Sequence, residues 1–110
     1  MAEFSVKRPV LRQPTHPGQV LKRQVFPALN LDIKAAAKAL GISRNTLHGL
    51  IRDASPNRMT APMALRVAKL CGNDAEMWLN MQRTFDLWEA RQDQATKDAV
   101  AKIPTMVAAE

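Results

Sequence analysis

The chain has 110 residues, enough for one small domain, with sixteen Lys and Arg against ten Asp and Glu, a formal net charge of +6. Apolar residues make up 46% and can fill one core, but only 5% are aromatic and Tyr is absent, which argues against a sandwich or barrel. One cysteine, Cys71, excludes an internal disulfide, and no apolar run approaches the roughly 18 residues of a membrane helix or the core of a signal peptide. The expectation is a soluble, cytoplasmic, single-domain protein.

The charge is unevenly spread. Residues 1–70 carry twelve basic residues against three acidic, a net +9, and residues 71–110 carry four against seven, a net −3. A surplus of this size in the first two thirds points to a polyanionic or acidic partner for that part. Residues 1–14, with Pro9, Pro14 and no helical period, read as an extended basic arm. Residues 15–91 read as the folded domain. Pro17 suits the first turn of a helix begun at Thr15 or His16, carrying Val20, Leu21 and Val25 and expected to stop before Pro27. Asp32 caps Ile33–Leu40, rich in alanine, and Gly41 ends it; Ser43 caps a segment from Arg44 to about Arg52. Thr60 and Pro62 start another that Gly72 closes, and Asn73 or Asp74 opens a fifth. On that fifth helix Trp78, Met81, Phe85 and Trp88 form an apolar stripe. Residues 92–110 read as a fraying helix or a tail.

The informative stretch is AAAKALGISRNTLHGLI, Ala35–Ile51. Two short helices meet at a tight turn containing Gly41, with small alanines where they must approach, which is what a helix-turn-helix needs. The N-terminal end of the second helix enters the major groove in such motifs. Arg44 can donate two hydrogen bonds to guanine, and Asn45 can bond bidentately to adenine. Ser43 and the helix N-terminus suit a phosphate, and Thr46, His48, Lys34, Lys38 and Arg52 complete the candidate DNA-binding set. The competing reading is an ordinary helical hairpin with a solvated polar face; the basic front section weighs against it.

The chain resembles a known family. HPGQVLK (His16–Lys22), AKALGISRNTLHGLI (Ala37–Ile51), TAPMALRVAKLCG (Thr60–Gly72) and MWLNMQRTFDL (Met77–Leu87) are similar to HigA-type antitoxins, Xre-like helix-turn-helix proteins of toxin–antitoxin modules. The resemblance covers roughly residues 16–88. It implies an all-α, five-helix, lambda-repressor-like domain that dimerises, binds a palindromic operator in its own promoter and represses it. It also implies a partner toxin, a small RelE-like mRNA endonuclease. Two departures stand out. Gly49 sits where the family often has a polar or basic residue, at a cost to helix stability of about 1 kcal/mol and with no side chain to read a base. Ile33 occupies a position where related proteins often place a phosphate-binding Gln. The loop RDASPNRM is slightly longer than the family's turn, and its Arg52 and Arg58 can reach phosphates.

Other residues carry less. His16 reads as a helix starter rather than a metal ligand, and with one Cys no zinc spacing exists. His48 is either a phosphate donor or a solvated side chain. Cys71 reads as a small buried hydrophobe. The stripe Trp78, Met81, Phe85, Trp88 is core or, as its size favours, partly a dimer interface. The arm Phe4–Arg12 lies along DNA, anchors on a toxin, or does neither. No catalytic triad, phosphate loop or paired carboxylates point to an enzyme, and no cofactor or metal is expected. Two further readings remain open: a stand-alone repressor without a toxin, and a protein-interaction module that has lost DNA binding.

Overall fold

From Asp32 onward each helix starts at a short polar side chain that accepts an otherwise orphaned backbone N–H. Asp32 accepts from Ala35 at 2.8 Å, Ser43 from Thr46 at 3.0 Å, Thr60 from Met63 at 3.3 Å, Asp74 from Glu76 at 3.1 Å and Asp93 from Thr96 at 2.9 Å. They open α3 (Ile33–Leu40), α4 (Arg44–Ile51), α5 (Ala61–Cys71), α6 (Ala75–Gln92) and α7 (Gln94–Ala101) of a computed structural model that describes residues 12–108. Gly41 and Gly72, at φ +72° and +70°, close α3 and α5 in the left-handed conformation that glycine adopts without strain. The described residues are all-α, as expected. The arm residues 1–11, including Lys7 and Arg8, lie outside them.

The first helical stretch departs from expectation. It comprises α1 (Pro17–Val20), a π turn (Leu21–Val25) and α2 (Phe26–Ala28), so it runs through Pro27 rather than stopping before it. In a regular α-helix the proline ring presses on the carbonyl four residues back. Here the Phe26 N–H reaches back five residues to the Leu21 carbonyl, and the wider π ladder relieves that clash. His16 starts the stretch, its Nδ1 accepting the Gly18 N–H at 2.9 Å, and its ring stands edge-on to Phe85 with centroids 5.0 Å apart.

Leu21, Leu47, Val67, Ala64, Ala36, Met59 and Trp78 are at most 1% exposed and bring the π turn, α3, α4, α5, α6 and the loop after α4 into one core. Trp78 donates its Nε1–H to Asn73 at 2.9 Å. The buried Gln82 accepts the Met59 N–H at 2.7 Å and donates to Asp86 at 2.9 Å, tying the loop after α4 to α6. These contacts assign part of the stripe to the core. Trp78 and Phe85 are 1% and 7% exposed inside the chain's own core, and Met81 and Trp88 are half-buried. Trp78 and Phe85 lie on the inward face of α6, the helix on which α5 and α1 pack.

In the C-terminal segment the structure takes the helical one of the two readings, capped rather than fraying. Residues 94–101 form a capped helix, since Asp93 accepts both the N–H and the hydroxyl of Thr96. The helix α7 packs on α6 and buries none of its residues. The radius of gyration is 18.0 Å, against about 13 Å for a compact chain of this length, and residues 93–108 are exposed throughout, so they form a solvent-facing limb.

Candidate nucleic-acid interface

The body holds α4 from three sides. At its start, Gly41 closes α3 with paired backbone bonds, Gly41 N–H to Lys38 at 3.1 Å and Ile42 N–H to Ala37 at 3.0 Å. That leaves carbonyls further along unpaired, and Arg66 of α5 donates to two of them, Leu40 at 2.8 Å and Gly41 at 3.3 Å. At its end, Gln19 of α1 donates to the carbonyls of Ile51 at 3.1 Å and Arg52 at 3.3 Å. Along its flank, Gly18 lies so close to the Leu50 carbonyl that a Cβ there would stand 2.0 Å from it. Main chain meets main chain, so α4 cannot tilt without moving α1.

Gly49 has a packing reason. A Cβ at this position would fall 2.3 Å from the Asn57 amide nitrogen, and the Asn57 N–H donates to the Gly49 carbonyl at 2.8 Å. Gly49 admits the returning loop against the helix.

Every candidate DNA-binding side chain is exposed: Lys34, Lys38, Ser43, Arg44, Asn45, Thr46, His48 and Arg52. They are not equivalent. Lys34 and Lys38 stand one turn apart on α3, and neither they nor Arg44 pair with a carboxylate among the described residues. Ser43 and Thr46 bind one another, hydroxyl to hydroxyl at 2.9 Å, besides the cap, so they fix the start of α4. Asn45, His48 and Arg52 line one open depression of about 530 Å³ with Ile33, Lys22 and Asn57. Arg52 is already engaged: it leaves the helix in an extended conformation and donates to the Ser55 carbonyl at 2.9 Å and to Asn57. Arg58 pairs with Asp86. Lys22 pairs with Asp53 at 3.0 Å and holds that exposed carboxyl below the usual carboxylate range. Arg44, Asn45 and His48 are thus the side chains of α4 free to meet a ligand, with Lys34 and Lys38 as unpaired cations beside them.

Sequence reasoning gave no role to Arg66, Gln19 or Asn57. Gln19 and Arg66 share their segments with other polar residues, His16 and Lys22 in one and Thr60 and Lys69 in the other, so nothing local singles them out.

No family model matches the chain. It is 38% identical over 84 residues to antitoxin HigA-1 of Vibrio cholerae, covering 76% of this chain and 77% of that protein. It is 34% identical over 95 residues to the HTH-type transcriptional regulator YbaQ of Escherichia coli, covering 86% and 82%. Its fold matches antitoxin GraA solved in complex with its operator, with a TM-score of 0.77, 30% identity, and 94% and 100% of the two chains covered. With this identity over more than two thirds of both chains, the protein belongs to the family of HigA-type antitoxins and helix-turn-helix transcriptional regulators.

Proposed function

We propose that the chain is the antitoxin of a toxin–antitoxin module and the repressor of its own promoter, acting as a dimer on a palindromic operator. The observation that carries this reading is the state of α4: Arg44 and Asn45 stand exposed and unpaired at the first turn of a helix held at its end by Gln19 and led into by a turn that Arg66 braces. Arg44 suits guanine and Asn45 adenine, while Lys34 and Lys38 attract phosphates without regard to sequence. Neutralisation of a RelE-like mRNA endonuclease by stoichiometric binding is what kinship with antitoxins implies, and it asks no chemistry of this chain.

A palindrome needs two copies with recognition helices one DNA turn apart, roughly 34–36 Å. The surface suited to a second copy is the C-terminal limb. Leu87, Val100, Ile103, Met106 and Val107 are 48–87% exposed there. Between Leu87 and Lys102 the limb carries Glu89, Asp93 and Asp98 against Arg91, Lys97 and Lys102. Identical copies of the basic front repel one another, whereas this neutral apolar limb does not.

A second reading, a regulator without a toxin, is favoured by the kinship with YbaQ. One experiment covers the DNA reading, namely fluorescence anisotropy with the gene's own upstream DNA and a scrambled duplex at about 150 mM salt. The proposal requires a preference for the former of on the order of a thousandfold. Equal affinities with folded protein would exclude it. Co-expression with the neighbouring open reading frame separates antitoxin from regulator: only an antitoxin restores growth to cells expressing a toxin.

A further inference from the structure

We infer that Arg66 is the positioning residue that sets where α4 begins, acting on DNA readout through the turn and not by touching DNA. The inference rests on the DNA reading of α4 and names the part of the body that makes it specific.

The geometry is that of a brace. The Nη1 of Arg66 sits between two consecutive carbonyls, Leu40 at 2.8 Å and Gly41 at 3.3 Å, at the negative end of α3. These oxygens have no place in the backbone closure of α3, whose bonds end on Ala37 and Lys38. A Cβ on Gly41 would fall 2.8 Å from the same Nη1. Glycine at this position therefore does two things: it takes φ +72°, and it leaves room for the guanidinium. Only Ile42 and Ser43 separate the braced carbonyl from Arg44. A turn free to flex about Gly41 would move the Arg44 side chain away from any fixed base, while a phosphate attracts it from many positions.

A lysine keeps the charge but is shorter and lacks the guanidinium fork. Arg66→Lys therefore separates bracing from simple attraction. The expected result in the full chain is an operator affinity weaker by about tenfold, with random-duplex affinity and salt slope unchanged. Amide exchange at Ile42, Ser43 and Arg44 should quicken in the free protein, with the thermal melt of the whole chain retained. As a control, Lys69→Met on the same helix should leave that exchange unchanged.

An unchanged operator preference in Arg66→Lys, with the wild type discriminating, overturns this inference and leaves the DNA reading standing. Equal losses on both duplexes overturn it in favour of a phosphate contact. Failure of the variant to fold overturns it by assigning the residue to stability. A wild type with no operator preference overturns the inference together with the DNA reading.

Discussion

The body built from α1 to α5 and the limb formed by the end of α6, α7 and residues 102–108 handle their surfaces in opposite ways. In the body, Arg66 takes up carbonyls of the turn that leads into α4 and Gln19 those at its end, Gly18 and Gly49 let other segments touch it, and apolar side chains are largely buried. In the limb, α7 buries none of its residues, and Val100, Ile103, Met106 and Val107 are at least 59% exposed. The body spends its contacts on fixing one helix, which a sequence-reading element requires. The limb leaves contacts unmade, which suits an element that completes its packing on another copy.

The sharpest break between the two regions is a core truncation. Leu47→Ala removes a side chain that is 0% exposed on the inner face of α4 and should cost about 2–5 kcal/mol in chemical denaturation. Val100→Ala on the limb should cost under about 0.5 kcal/mol when measured on the monomer. Next comes Gly18→Ala, which drives a methyl into the Leu50 carbonyl; a loss of about 1–3 kcal/mol and weaker operator binding are expected, read by melting and anisotropy. Arg44→Ala should lower operator affinity by about 1–3 kcal/mol with the fold intact, whereas Lys38→Ala should weaken operator and random DNA alike and flatten the salt slope. Conversely, Val100→Asp with Ile103→Asp should leave the melt of the body unchanged and convert the proposed dimer to a monomer in sedimentation. Persistence of a dimer there places the interface elsewhere.

The smallest effect concerns pH. Burial holds the His16 ring below its ordinary value of 6.5, outweighing the Asp86 carboxylate and the Asn57 carbonyl that favour its protonated form. Below about pH 6.5 the unfolded chain takes up this proton before the folded one does, so stability falls as pH drops through that window. His16→Asn keeps an acceptor at the cap and should flatten that dependence in denaturation curves taken between pH 7 and 5.

What could be read from sequence follows the range of the interaction. Asp32, Gly41, Ser43, Thr60 and Gly72 act on backbone within a few residues, so their capping roles were legible, and with them the helix-turn-helix and the exposed Arg44 and Asn45. Arg66 and Gln19 act on partners 26 and 32 positions away, and no local pattern marks that. Pro27 escapes its local rule through the π turn before it, a backbone ladder that the α-helical rule does not cover. On α6 the periodicity located an apolar face, but only packing against α5 and α1 shows that this face points inward. Gly49, a departure from the family pattern, is explained by Asn57, which approaches it from the loop eight residues on.

If two copies of α4 read one duplex together, hydroxyl-radical footprinting on the gene's own upstream DNA should show two matching protected patches on one face of the DNA, about 10 base pairs centre to centre, both weakened by Arg44→Ala. A lone patch, or none, with folded protein at saturating concentration would contradict it.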